Sequence, residues 1–257
     1  MWIVLGAACI GLSLGMLGSG GSILALPILT YLVGQPEKLA IASSLAVVGG
    51  ISVIGAIPYV WKRLVDWRSV AWFGVPGMLG SWLGAMAAQG LPGAIQLLIF
   101  SAVMLAASLR MIAAGRSSPA MPRSTTGGVH SVRRLAGAGL LVGMMTGIIG
   151  IGGGFLIVPA LVLLVGLTMQ RAVGTSLAVI AANAFIGFAK YAAALGALHL
   201  RLDWHVIGMF VALGAIGTIA GHGLGCWLPQ QRLKQLFGIV LIGISVYTFS
   251  RELPKLW

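Results

Sequence analysis

Charge is scarce in this sequence, and negative charge is the scarcest of all. Only 8% of the 257 residues are charged, four residues are acidic, and 59% are hydrophobic. An average soluble domain is about 45–50% apolar and about 25% charged. The composition therefore excludes an ordinary soluble domain and predicts a protein that lies within a lipid bilayer.

Cysteine is nearly absent, and catalytic clusters are missing. The two cysteines, Cys9 and Cys226, lie in apolar segments without a CxxC spacing, which predicts neither a disulfide framework nor a metal site. No grouping of His, Ser and acid residues indicates hydrolysis. We therefore expect no enzymatic activity, no metal and no cofactor.

Long apolar sequence is abundant. A transmembrane helix needs about 20 mostly apolar residues, and uncharged stretches occur at 1–34, 39–61, 69–109, 135–170, 172–189 and 206–231. Several of them are long enough for two crossings. The predicted fold class is all-α and integral to the membrane, with about eight membrane segments.

Positive charge outweighs negative charge, with 16 Lys and Arg against four acids and a net charge of +12. The basic residues lie at the ends of apolar segments and form no single basic face, so they indicate loop topology and no nucleic-acid partner. Two predicted crossings separate the basic loop 62–68 from the basic linker 115–134, which places both on one side. The positive-inside tendency makes that side cytoplasmic.

The sequence contains an internal repeat. At an offset of 132, 15 of the 33 residue pairs that start at position 15 are identical, which shared hydrophobicity alone does not explain. Further along, an offset of 137 pairs Asp66-Trp67 with Asp203-Trp204. We expect a first membrane repeat over 1–114, a cytoplasmic linker over 115–134 and a second membrane repeat over 135–257.

Both repeats begin with an apolar segment that is broken by a GxGG motif. Bare backbone is costly in hydrocarbon, so non-helical glycine is tolerated there only against protein or a wet cavity. A helix that starts after such a break directs free amides at the cavity, which favours an anion, and paired breaks point to a midplane site. The first substrate-binding candidates are therefore Gly18, Ser19, Gly20, Gly21, Ser22, Gly150, Gly152, Gly153 and Gly154.

Close helix packing is the alternative explanation for glycine. It is favoured for the isolated GxxxG spacings, because small residues let the backbones of membrane helices approach each other. These spacings occur at Gly80 and Gly84, at Gly139 and Gly143, and at Gly217, Gly221 and Gly225. Faces of this kind also allow a homodimer.

The two arms of the first broken segment are short. Trp2 to Leu17 and Ser22 to Val33 each have fewer than the ~20 residues of a full span. This favours a re-entrant helix pair at the start of each repeat, together with six full spans. Two straight crossings remain the alternative, and the basic residues do not decide between parallel and inverted repeats.

Further polar side chains lie within the apolar segments. Hydroxyls can donate to an anion or cap backbone, an amide can donate to a ligand or bond to a neighbouring helix, and a lysine can face a substrate or extend to the interface. The remaining substrate-binding candidates of these kinds are Ser43, Ser44, Thr175, Ser176, Asn183 and Lys190.

All four acids, Glu37, Asp66, Asp203 and Glu252, fall near segment ends. Cation carriers and many proton-coupled carriers use a carboxylate inside the membrane. The absence of one at mid-membrane depth argues against a cation substrate. It leaves amides, hydroxyls and cations as ligands, which suit a small anion.

Four motifs occur twice in the chain. They are GxGG, a proline six residues after its last glycine, a Ser/Thr-Ser-Leu that starts sixteen residues beyond the proline, and Asp-Trp before the next helix. Together they resemble the TauE/SafE sulfite exporter family over essentially the whole chain. The resemblance implies a multi-pass secondary transporter of the bacterial inner membrane that exports a small sulfur-containing anion, such as sulfite or an organosulfonate.

Two alternatives to export stay open at this point: an uptake carrier for a related anion, and a non-transporting membrane scaffold or accessory subunit. The two motif copies also differ. Ser19 and Ser22 stand where the second copy has Ile151 and Gly154, and Ser43 stands where it has Thr175. The two halves therefore need not contribute equally to a site.

Overall fold

The structure is a computed structural model that describes residues 2–17, 21–114, 129–149, 157–158, 160–197, 202–225 and 230–256. Across these ranges the chain is helical apart from short connections and contains no strand. The predicted all-α class is therefore confirmed for the described residues.

The described residues form nine helices: α1 (Trp2–Leu17), α2 (Gly21–Leu32), α3 (Glu37–Trp61), α4 (Trp67–Ala88), α5 (Gly93–Ala114), α6 (Val129–Ile149), α7 (Met169–Ala197), α8 (Trp204–Gly225) and α9 (Gln230–Glu252). α2 ends in a π-helical turn, Ile28–Leu32, and α4 contains another, Val70–Gly74. A third, Leu161–Val165, precedes α7. The π turn of α4 comes just before Pro76, which lacks an N–H and crowds the preceding turn of a regular helix.

Four of the described helical stretches are long and apolar enough to cross a membrane: Glu37–Trp61, Trp67–Ala88, Gln170–Leu195 within α7 and Trp204–Gly221 within α8. Three shorter apolar stretches, Gly6–Gly15, Gly21–Leu32 and Gly93–Ala106, lie in α1, α2 and α5. The most apolar part of α3 is 78% buried, against 39% for α4 and for α8. α3 therefore lies at the centre, while α4 and α8 lie at the periphery. A total of about eight segments stays a prediction.

α1 and α2 form an antiparallel hairpin. Gly21, the first residue of α2, packs against Ile10 and Leu14, while Ile28 near the other end of α2 packs against Gly6. The chain thus turns back along α1 after the first glycine break. This course is compatible with the predicted re-entrant hairpin and with two full crossings, so the re-entrant form stays a prediction.

α3 and α7 pack against each other in opposite directions. Leu45, early in α3, contacts Gly187, late in α7, whereas Tyr59, late in α3, contacts Gly174, early in α7. The offset of 132 makes these two helices counterparts in sequence. Counterpart helices at the centre of the molecule therefore run antiparallel.

Two further helix pairs, α1 with α8 and α4 with α6, join the two halves of the chain. Within each pair the helices run parallel, and their backbones meet at glycines, such as Gly11 against Gly214 and Gly143 against Gly77. Gly80, Gly84, Gly139, Gly217 and Gly221 likewise face backbone atoms of the neighbouring helix. These contacts confirm the packing role predicted for these GxxxG glycines.

Candidate functional site

Most of the predicted break residues, Gly18, Ser19, Gly20, Gly150, Gly152, Gly153 and Gly154, lie outside the described residues. The other two, Gly21 and Ser22, are buried. A Cβ on Gly21 would stand only 2.7 Å from the Leu14 Cβ, so a larger residue would push α2 away from α1. Gly21 therefore has a packing role within the hairpin.

The helices that lead into the two breaks end at different depths. Gly15, near the end of α1, lines a cavity together with Gly55 of α3. Gly147, near the end of α6, lies beside Ser81 of α4. Ser81 also lies beside the α7 glycine that contacts Leu45 of α3, so the end of α6 is level with Leu45. At ~1.5 Å per residue, Gly55 and Leu45 are roughly 15 Å apart along α3. They fall on opposite sides of the middle of α3.

The four predicted hydroxyl ligands do not come together. Ser44 donates to the Ile41 carbonyl and Ser176 donates to the Val173 carbonyl, both at 2.8 Å. These bonds stay within one helix and occupy equivalent positions in the two halves. Because α3 and α7 are antiparallel, the two hydroxyl pairs lie roughly 20 Å apart along the helix axis.

Thr175 and Ser43, which are sequence counterparts, have different surroundings. The backbone N–H of Asp66 donates to Thr175 Oγ1 at 3.0 Å, which connects the start of α4 to α7. Ser43 is fully buried, and its hydroxyl has no hydrogen-bond partner among the described residues. Thr175 thus orders a loop, whereas the Ser43 hydroxyl is not used in this way.

Asn183 lies at the middle of α7, fourteen residues from either end. Its side chain is fully buried against Gly77, and neither Nδ2 nor Oδ1 has a hydrogen-bond partner among the described residues. Leaving a buried polar group unpartnered costs about 1–3 kcal/mol. Such a group in a native structure calls for an explanation.

Lys190 lies two turns further along α7 and is partly exposed. Its Nζ stands 5.4 Å from the centroid of the Trp82 ring of α4, within the range of a cation–π contact. Trp82 is itself exposed. Lys190 therefore lies at the outer edge of the α4–α7 interface and is not enclosed in it.

Tyr191 makes a contact at the end of α6 that sequence reasoning missed. Its hydroxyl donates to the carbonyls of Gly147 at 3.1 Å and Ile148 at 3.3 Å, which belong to the last turn of α6 before the second break. The signal in the sequence was its repetition, because Tyr191 and Tyr59 are counterparts. Tyr191 satisfies carbonyls that the end of α6 would otherwise leave unpaired.

A small cavity of about 40 Å³ lies between α1, α3, α7 and α8. It has room for about three water molecules at the ~10–15 Å³ that each occupies by this measure. Its lining residues are Leu14, Gly15, Gly55, Pro58, Tyr59, Leu177, Thr218 and Ile219. The sequence counterparts of Pro58 and Tyr59 are Lys190 and Tyr191. The second half therefore carries a positive charge where the first half has a proline.

The four acids lie at helix ends, as the sequence indicated. Glu37 begins α3, Asp66 and Asp203 precede α4 and α8, and Glu252 ends α9. The burial of Glu252 was not anticipated: it is fully buried, and Tyr31 of α2 donates to its Oε1 at 3.0 Å. Among the described residues, no group of three or more His, Cys, Asp or Glu could hold a metal ion.

These features define a multi-pass membrane protein whose described residues are helical, with an antiparallel hairpin packed against central antiparallel helices. The chain belongs to the TauE/SafE family, since the family described as "Sulfite exporter TauE/SafE" matches residues 3–249. The family predicted from the repeated motifs is thereby confirmed, and the protein is a membrane transporter of that family.

Relatives of the chain are named as transporters. A "Probable membrane transporter protein" of Xylella fastidiosa (strain 9a5c) is 32% identical over 254 residues, which cover 96% of this chain and 94% of that protein. "Probable membrane transporter protein MJ0441" of Methanocaldococcus jannaschii is 27% identical over 245 residues, covering 91% and 90%. "Probable membrane transporter protein YunE" of Bacillus subtilis (strain 168) is 28% identical over 254 residues, covering 90% of each. No solved structure matches the chain significantly.

Proposed function

We propose that this protein is a secondary carrier that exports a small sulfur-containing anion, such as sulfite or an organosulfonate, across the bacterial inner membrane. The observation that carries the proposal is the family match over residues 3–249. All four acids lie at helix ends, so none is placed within a helix, where a carboxylate would repel an anion. This supports an anionic substrate. The proposal covers both an inorganic anion and an organosulfonate.

The antiparallel packing of α3 and α7 supports two repeats of inverted topology. In this arrangement each repeat has one re-entrant hairpin and three full spans, and residues 62–68 and 115–134 are cytoplasmic. Carriers built from inverted repeats with broken helices bind their substrate near the midplane and alternate access by moving one bundle against the other. We infer that this protein works by such a movement.

Transport in proteoliposomes tests the function. Vesicles that contain the purified protein and radiolabelled sulfite should lose label faster than protein-free vesicles, and unlabelled sulfite or an organosulfonate should compete. Flux of a cation or a sugar without any anion flux would overturn the proposal. Uptake is the alternative to export. Measurement of cellular sulfite accumulation after gene deletion and complementation distinguishes the two directions.

A further inference from the structure

The amide of Asn183 lies where α4 and α7 cross near their midpoints. A Cβ added to Gly77 would stand 2.8 Å from Nδ2 and 3.0 Å from Oδ1, so the amide packs directly on the α4 backbone. It is fully buried and has no hydrogen-bond partner among the described residues. Whichever way the amide is turned, it holds donors that none of these residues uses.

A neighbouring hydroxyl forms a hydrogen bond with the backbone and not with the amide. The Ser81 hydroxyl, one turn along α4, donates to the backbone carbonyl of Asn183 at 3.0 Å. That bond connects α4 to α7 without the side chain. Interhelical bonding, the ordinary role of Asn in a membrane helix, is therefore not what the described residues show for this amide.

The other half of the protein shows that packing does not require an amide here. The sequence offsets pair Asn183 with Ile51 and Gly77 with Gly214. In the structure Ile51 covers Gly214 as Asn183 covers Gly77. An aliphatic side chain fills the equivalent space in the first half, so the amide adds a polar function to one half only.

The half that contains Asn183 also carries a positive charge that the counterpart position in the other half lacks. Lys190, on the same helix as Asn183, has Pro58 as its counterpart. Its ammonium group lies over Trp82 of α4, at the edge of the interface that contains Asn183. A cation and an unpartnered amide thus both lie along the α4–α7 interface, whereas their counterpart residues on α3, Ile51 and Pro58, carry neither a charge nor an amide.

We propose that the transported oxyanion binds to the Asn183 amide at the α4–α7 interface, and that the counterpart position at Ile51 and Gly214 does not bind it. The proposal rests on the proposed anion transport and deepens it by naming the contact. In the conformation described here α4 covers the amide, so the site is occluded. Substrate reaches it when α4 and α7 separate.

The test replaces Asn183 by the residue that the other half uses. Asn183→Ile in the full-length protein should lower sulfite flux in proteoliposomes at least about tenfold, as expected for the loss of one hydrogen bond to a charged ligand. Asn183→Leu is the second variant and should behave alike. Ile51→Val, a small packing change at the counterpart position, is the matched control and should keep flux within about twofold.

A binding measurement separates this proposal from the proposed function. Sulfite should raise the melting temperature of the wild type in detergent, because a ligand stabilises the state that binds it, and Asn183→Ile should abolish this rise. Without sulfite the variant should melt no lower than the wild type, since an unpartnered buried amide is removed.

Wild-type flux from Asn183→Ile would overturn the Asn183 site and leave anion transport standing. A variant that lost flux because it melted at a lower temperature would also overturn it, because the amide would then serve folding. Absence of flux of sulfite and of any organosulfonate in the wild type itself would instead overturn the proposed function.

Discussion

At the scale of single residues, Gly34 and Gly166 adopt the left-handed conformation, with φ angles of 76° and 75°. Each follows the π turn that ends a broken segment, and the two are counterparts at the offset of 132. A side chain in this conformation brings Cβ too close to the following carbonyl, at a cost of about 1–2 kcal/mol. These glycines allow the chain to leave each broken segment and enter the next long helix.

Gly34→Ala and Gly166→Ala should each lower the free energy of unfolding by about 1–2 kcal/mol. No atom lies within 4 Å of either added Cβ, so the whole effect comes from the backbone. Thermal unfolding in detergent measures it. Gly208→Ala, at an open helical position of α8, should be neutral or stabilising by up to about 1 kcal/mol, and an equal loss in all three variants would contradict the explanation.

Thr175 also acts at this scale, as the acceptor for the Asp66 N–H. Thr175→Val removes the acceptor at nearly constant volume and should lower the free energy of unfolding by about 1–3 kcal/mol, because a partly buried donor loses its partner. Thr175→Ser keeps the hydroxyl and should recover most of this stability. If Val instead abolished anion binding while leaving the melting temperature unchanged, a ligand role would replace the structural one.

At the scale of helices, glycines lie where the backbones of paired helices meet. α6 offers a matched comparison, because Gly143 faces the backbone of Gly77 whereas Gly137 has no atom within 4 Å of an added Cβ. Gly143→Ala should lower the free energy of unfolding by about 1–3 kcal/mol through overpacking. Gly137→Ala should be neutral or stabilising by up to about 1 kcal/mol. Denaturation of both variants in one detergent checks the difference.

The bond between Tyr31 and Glu252 connects α2 to the end of α9. Tyr31→Phe keeps the ring, which packs edge-on against Tyr247 at 5.2 Å between centroids, and removes only the donor. Loss of a hydrogen bond to a buried carboxyl group should lower the free energy of unfolding by about 1–3 kcal/mol. A lower melting temperature reports this loss. Tyr247→Phe is the control, since the bond that its hydroxyl accepts from Arg251 is exposed, and it should change stability by less than about 0.5 kcal/mol.

Sequence predicted those properties of the helices that depend on composition and local spacing. The all-α class, the hairpin of the first broken segment and the packing of the GxxxG glycines follow from runs of apolar residues and from spacings of four. The direction of α7 relative to α3 did not follow, because moving loops between sides leaves the count of basic residues unchanged. It depends on contacts such as Leu45 with Gly187, which are far apart in the chain.

The candidate site was predictable only in part for the same reason. Asn183 and Lys190 stand out as polar residues in apolar runs, so the sequence identified them. Their environments depend on α4, and the roles of Thr175 and Tyr191 depend on bonds to residues 109 and 44 positions away. The burial of Glu252 depends on packing around a helix end, which sequence position alone does not reveal.

At the scale of the whole molecule, the proposed inverted repeats have a topological consequence that can be measured. The loop before α4 and the loop before α8 are sequence counterparts, so inversion places them on opposite sides of the membrane, while parallel repeats would place them on the same side. In a background without Cys9 and Cys226, Lys62→Cys should react only with reagents on the cytoplasmic side. His205→Cys should react from the opposite side, and labelling of both from one side would exclude inversion.

The pairing of α1 with α8 sets a timing requirement on biosynthesis. Gly11 meets Gly214, and these residues are separated by most of the chain. At ~5–20 residues per second, synthesis of the intervening chain takes about 10–40 s. During that interval the glycine face of α1 has no α8 to pack on, so lipid, an insertion factor or α2 must cover it until α8, in the last quarter of the chain, is made.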